Sequence, residues 1–393
     1  MKTRRHRFQT LMVFTIVLSV VVAACGNDDE GSDEPIKIGY AAAVTGELAP
    51  YDSPDGVQCA IDRVNEDGGV LGRQLELIVR DVASDPVQGG TVAEELLDEG
   101  VTIILGPPTD DTALPVAQVA AEEDTAVLTV TATQPNFAIS APGNGFMTAY
   151  GDNSSAAAAA EHAYDQGYRS AWLMVTRDIG SYGIVTANAF GDTFAELGGE
   201  VVGESNWEYG VGDFSSQITE IAASDPVPDV VFLGGPVPDN ATFARQMRDA
   251  GVEAAYYGTD GFDDPAFIEV GEEAVEGASF ATLGFPEPGG DLEEFFDDCQ
   301  ERGYDVRNIF TGMGGDAVAV VVAAIEGADS ADSAEVLDAL KGLEEVEGVV
   351  SSSITYKDQG GVPLRNIAVV QVVEGEFALD EYVIPSYVPE PRS

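Results

Sequence analysis

From Ile36 to Gly258 the chain alternates short apolar runs with stretches whose apolar residues recur every three or four positions, and few folds accept that pattern. Ile36–Ala43, Val101–Leu105, Ala126–Val130, Ala171–Val175, Glu200–Trp207, Val230–Leu233 and Ala255–Gly258 have strand length, and Gln74–Asp81 alternates like a strand. Between them lie helical spacings over Gly56–Asp67 (Val57, Ala60, Ile61, Val64), Val87–Asp98, Asp110–Glu123, Ser154–Gln166, Ile184–Leu197, Phe214–Ala223 and Ala241–Ala250. A strand apolar along its whole length needs cover on both faces, and amphipathic helices supply it; this predicts parallel sheets wrapped by helices. Repeated strand–helix–strand units give doubly wound α/β lobes, whose ligands bind beyond the carboxyl ends of the strands. The chain has 393 residues, more than one core of this kind usually holds, so two lobes are expected.

The predicted strand ends carry the residues of interest. Leu105 runs into Gly106-Pro107-Pro108-Thr109-Asp110-Asp111, and Val130 into Thr131-Ala132-Thr133-Gln134-Pro135. Val175 leads to Tyr182-Gly183, Leu233 to Gly234-Gly235-Pro236, and Gly258 to Thr259-Asp260-Gly261. Several precede a helix, where free amide groups favour anionic groups.

The amino terminus is an export signal. Lys2, Arg4, Arg5 and Arg7 precede an apolar run from Leu11 to Val22, which ends in Val22-Ala23-Ala24-Cys25. The run is short of the roughly 20 residues a membrane span needs. Val-Ala-Ala-Cys resembles a bacterial lipobox, which implies removal of residues 1–24 and a lipid on the Cys25 sulfur; an uncleaved anchor helix and a plain soluble export signal are the alternatives. Residues 25–35 then form a polar tether, which places the protein outside the cytoplasm with the membrane reached only through the lipid. Taking four of the 18 basic residues and none of the 69 acids leaves 14 against 69, a formal charge of −55. Such a chain is repelled by nucleic acid and anionic surfaces. With 45% hydrophobic residues it is no acidic disordered protein, so the charges must coat a filled core. A salty habitat and an ordinary acidic secreted protein both accommodate this excess. Cys59 and Cys299 remain, as one disulfide or as two separately buried thiols.

Taken in order, IKIGYAAAVTGELAPY (36–51), AIDRVNEDGGVLGRQLELIVRD (60–81), ILGPPTDD (104–111), TVTATQP (129–135), SYG (181–183), DFSSQI (213–218), DVVFLGG (229–235) and GTDG (258–261) resemble the leucine/isoleucine/valine-binding protein family. These are the type I extracytoplasmic solute receptors of ABC importers. The resemblance spans Ile36 to about Phe377 and implies the type I periplasmic binding protein fold, two lobes joined by three hinge crossings near 148–152, 278–282 and 350–354. Lobe 1 would be 36–149 plus 280–350, and lobe 2 150–279 plus 351–393. It also implies a monomer that closes on a small polar solute, an amino acid (branched-chain-like) or related amide, and passes it to permease subunits with cytoplasmic ATPases. Residue by residue, Thr133 matches the position that holds the ligand carboxylate and Thr131 a backbone-contacting neighbour. Tyr51 and Tyr182 match aromatic walls, and Asp260 the acid that pairs with the α-ammonium group. Two positions depart from the pattern: Asp110 replaces a carboxylate-binding serine and Pro236 a cleft tyrosine. An ionised Asp110 about 4 Å from a ligand carboxylate would cost on the order of 4 kcal/mol. Either Asp110 caps the helix that begins there, or the cleft admits amides, ureas or cationic solutes.

Enzyme chemistry finds little footing. Past the signal, His162 is the only histidine, which leaves no His-rich zinc site and weakens Ser-His or Cys-His relays. Gly180-Ser181-Tyr182-Gly183 lacks the spacing of a nucleophile elbow, and residues 68–73 follow a helix rather than open one, unlike a phosphate loop. Asp263-Asp264 and Asp297-Asp298 lack EF-hand spacing. No cofactor is expected. Presentation of the solute to a sensor instead of an importer is the alternative function.

Overall fold

The computed structural model describes residues 34–46, 48–177 and 181–392. The export signal, Cys25 and the tether up to Asp33 lie outside the described residues.

Two parallel sheets form the body. The first contains β1 (Ile36–Ala42), β2 (Leu75–Asp81), β3 (Ile103–Gly106), β4 (Val127–Thr129) and β5 (Gly145–Met147), in the order β2-β1-β3-β4-β5. The second contains β6 (Ser170–Val175), β7 (Glu200–Asn206), β8 (Val230–Leu233), β9 (Ala255–Gly258) and β10 (Ser279–Thr282). Its order, β7-β6-β8-β9-β10, repeats the winding of the first. Central β3 and β8 are buried at every position, as their uninterrupted apolar sequences require, whereas edge strands β2 and β7 are partly exposed. A short ribbon, β11 (Ile354–Thr355) with β12 (Leu364–Arg365), precedes the last two strands. These, β13 (Ile367–Val373) and β14 (Glu376–Val383), extend the second sheet antiparallel beyond β10. The lobes are therefore α/β as the pattern requires, with the second sheet mixed.

The chain passes between the sheets three times. It leaves the first after β5 and returns after β10 to a helical layer that includes the 20-residue helix Ile309–Ala328. That helix is long and apolar enough to cross a membrane, but it lies mostly buried against helix Pro54–Glu66. The two backbones touch: a Cβ on Gly56 would sit 2.3 Å from the Thr311 carbonyl oxygen, and one on Gly314 2.5 Å from the Val57 nitrogen. Nearby, Cys59 and Cys299 are disulfide-bonded with a Cα–Cα distance of 5.7 Å. Because β10 pairs with β13 as far as Thr282, and Met147 N–H donates to the Gly361 carbonyl at 2.9 Å, the second and third crossings fall later than the sequence analysis places them.

A buried ion pair ties the first and third crossings to helix Ile309–Ala328. Arg365 Nη2 meets Asp316 Oδ2 at 3.0 Å with both side chains fully enclosed. Arg365 Nη1 donates to the Thr148 carbonyl at 2.7 Å, and the Val350 N–H donates to Asp316 Oδ1 at 2.8 Å.

Candidate functional site

In both sheets the winding direction reverses beside the first strand, between β1 and β3 and between β6 and β8, and the loops beyond the carboxyl ends there are where a ligand fits. The residues singled out from sequence lie in these loops and the helix starts that follow.

On the second lobe, the loop after β6 enters helix Tyr182–Glu196 at its first residue. The Tyr182 hydroxyl lies 2.6 Å from Thr259 Oγ1, donates to Asp260 Oδ1 at 3.1 Å and accepts the Gly261 N–H at 3.1 Å. Gly261 permits this approach, since a Cβ there would stand 2.6 Å from the Gly235 carbonyl oxygen. Buried Asn240 clamps the same two loops by donating to the carbonyls of Gly235 (3.0 Å) and Gly261 (2.9 Å). The Tyr182 hydroxyl thus orients Asp260. Burial pushes the Asp260 carboxyl up to about 6, opposed by the Tyr182 hydrogen bond. Pro236, half-buried, belongs to the clamped loop and offers no donor.

On the first lobe, buried Thr131 donates its hydroxyl to the Tyr51 carbonyl at 2.7 Å, so its side chain is spent holding the neighbouring loop. The Tyr51 ring packs edge-on to Phe310 at 6.0 Å and stays 46% exposed. Burial raises its phenol pKa, followed by the fields of Tyr209, Asp264 and Asp260. Thr133 is buried, and its carbonyl accepts the Asp152 N–H at 2.8 Å.

Asp110 does not cap its helix. Thr109 holds the cap position of helix Asp110–Ala120, with its hydroxyl on Asp111 Oδ1 at 2.6 Å. Asp110 is the first helical residue, and its Oδ1 accepts the Asp111 N–H at 2.9 Å. Burial raises its pKa, with a smaller contribution from Asp111. The extended backbone of Thr109 favours the cap role there rather than one residue later.

Two residues in the first crossing escaped the sequence analysis. Asp152, the first residue of helix Asp152–Asp165, is 0% exposed, and neither carboxylate oxygen has a hydrogen-bond partner. Burial raises its pKa well above the ordinary value, and Asp260 and Asp110 raise it further. Thr133 favours the charged form, but without a hydrogen bond of normal geometry. Tyr150, equally buried, leaves its hydroxyl unpartnered and feels Asp260, Tyr182 and Asp152. The signal was present: Tyr150-Gly151-Asp152 joins a strand end to a helix start, as the loop before Asp110 does.

His162, the two tryptophans of the second lobe and Arg177 have structural places. His162 is buried, its ring nitrogens hydrogen-bonded to the Tyr257 hydroxyl (2.9 Å) and Asp380 (2.8 Å). Trp172 and Trp207 pack in the second lobe's core, and Arg177 is exposed. Two shallow depressions, one near Pro228 and Val252 and one near Val101 and Thr125, lie at the opposite, amino ends of the strands.

A family model described as periplasmic binding protein matches residues 35–376. The Leu/Ile/Val-binding protein BraC3 of Rhizobium johnstonii is 33% identical over 270 residues, which is 68% of this chain and 71% of the relative. A leucine-, isoleucine-, valine-, threonine- and alanine-binding protein of Pseudomonas aeruginosa is 27% identical over 297 residues, 75% of this chain and 79% of its own. The crystal structure of a leucine binding protein from Thermotoga maritima superposes with a TM-score of 0.73 at 26% identity, covering 89% of this chain and 99% of that one.

Proposed function

The chain belongs to the periplasmic binding protein family, and from that premise we propose that it is the lipid-anchored solute receptor of an ABC importer, closing on a small solute that carries an amino group. The observation that carries this reading is the Asp260 carboxylate, held by the Tyr182 hydroxyl at 3.1 Å in the loops beyond the carboxyl ends of β6 and β9. Its acceptor oxygens suit an ammonium group, and a charge-assisted hydrogen bond in a half-buried site outweighs a neutral one. Relatives named for branched-chain amino acids support a solute of that size.

Function then follows from geometry. A solute bound to Thr133 and the Tyr51 loop of the first lobe gains Asp260 only when the second lobe swings over it. Contacts made solely in the closed form shift the open–closed balance. Permease subunits with cytoplasmic ATPases read the closed shape, and the receptor performs no chemistry on its cargo. Cys25 carries the lipid that keeps this monomer at the cell surface.

Calorimetry of the purified, solute-stripped protein against amino acids, amides and amines tests the reading. At least one amine-bearing solute should bind, and Asp260→Ala should weaken it more than tenfold; unchanged affinity removes Asp260 from the site. Cys25→Ala should abolish labelling by a radioactive fatty acid. A mature protein beginning upstream of residue 25 in wild-type cells would rule the anchor out.

A further inference from the structure

Among the described residues, four aspartates are essentially inaccessible to solvent: Asp52, Asp152, Asp239 and Asp316. Three are satisfied within the fold. Asp52 accepts from the Tyr40 hydroxyl and from the N–H groups of Ala43 (2.7 Å) and Ser53 (3.0 Å). Asp316 holds Arg365, and Asp239 accepts the Gly210 N–H. Asp152 alone has both oxygens bare. The start of its helix offers some favourable field, but its own N–H is turned to Thr133, and no lysine or arginine among the described residues pairs with it. An enclosed, unpaired carboxylate is among the least favourable arrangements a fold can keep.

Its surroundings identify what is missing. The charged groups acting on Asp152 are Asp260 from the second lobe and Asp110 from the first, both negative. No lysine or arginine among the described residues forms an ion pair with any of the three. The orphaned hydroxyls of Tyr150, two residues away, and Ser181, beside Tyr182, add further unmet polar atoms. A zwitterionic amino acid would answer one acid and press its own carboxylate towards the others. Nor do the acids converge on a point: no three His, Cys, Asp or Glu side chains among the described residues have metal-ligating spacing. Positive charge spread over a few ångströms answers the arrangement better.

The geometry points to Asp152 as a further solute-contacting acid and to a cargo with two separated cationic groups, one on Asp260 and one between Asp152 and Asp110. Diamines and basic amino acids share this chemistry. The inference rests on the solute-receptor reading above and narrows its substrate class.

The test is calorimetry of the mature lipidated chain, purified in detergent and stripped of solute, with 1,4-diaminobutane, 1,5-diaminopentane, lysine, arginine, leucine and CaCl2 as titrants. A diamine or basic amino acid should bind at least tenfold more tightly than leucine, and the better of the two classes shows whether the cargo keeps a carboxylate. Asp152→Asn should cost that dication at least tenfold and leave leucine unchanged or improved. Leucine outbinding every dication, or calcium alone binding, would overturn the inference. Silence from every titrant would instead count against the solute-receptor reading itself. Should Asp152→Asn fail to fold, judged by circular dichroism, the wild-type ranking of dication against leucine decides.

Discussion

Asp110 shows how far a single residue can be read from its sequence position. Its place at a strand end before a helix was legible, because Gly-Pro-Pro breaks the strand and Thr-Asp-Asp begins a helix. Which of these polar residues caps the helix was not legible, since three adjacent candidates fit and backbone angles decide. With Thr109 at the cap, Asp110 is the first helical residue and holds the Asp111 N–H through Oδ1. Asp110→Ser should raise leucine affinity about tenfold, or about 1.4 kcal/mol, and lower diamine affinity, both measurable by calorimetry. The fold should lose less than about 1 kcal/mol, as only one first-turn interaction goes. Tyr182 and Asp260 were both singled out from sequence, but their hydrogen bond joins residues 78 apart and exists only once β6 and β9 lie in one sheet.

Elements were legible where they face the core and blurred where they face the cleft. Apolar periodicity starts the helix after β6 at Ile184, yet the helix begins at Tyr182; the helix after β5 begins at Asp152, not Ser154. In both cases the first two helical residues, Tyr182-Gly183 and Asp152-Asn153, carry no aliphatic side chain, so an apolar pattern cannot mark them. Asp152 was missed for this reason. The crossings depend on packing as well. The Arg365–Asp316 pair gathers segments near residues 148, 316, 350 and 365, and no local pattern announces such a junction. Arg365→Met should strand a buried carboxylate and cost about 3–5 kcal/mol in urea unfolding. Replacing Asp316 with Leu in the same protein should restore most of that loss.

For the molecule as a whole, the expected response to pH and salt follows from where its acids sit. Burial lifts Asp52, Asp260 and Asp263 to about 6 from an ordinary value of 3.8, and raises Asp152 as well. Between those limits the folded chain binds more protons than the unfolded one, so these groups stabilise it below about 4 and lose that contribution as pH rises through 6. The solute-free protein should therefore melt higher at pH 5.5 than at pH 7.5, while its affinity for amines falls as Asp260 and Asp152 take up protons. Molar NaCl should also raise the Tm by screening the excess acidic charge. A Tm unchanged by pH and salt would remove this account. By itself, the sequence determined the alternation of covered strands and amphipathic helices, and with it two wound lobes and the loops that line the cleft, because those features depend on local periodicity and chain length. Only the tertiary structure decided that Asp152 is enclosed in the fields of Asp260 and Asp110 with no ion pair among the described residues. Burial and the fields of distant side chains are properties of the assembled lobes, and no stretch of sequence carries them alone.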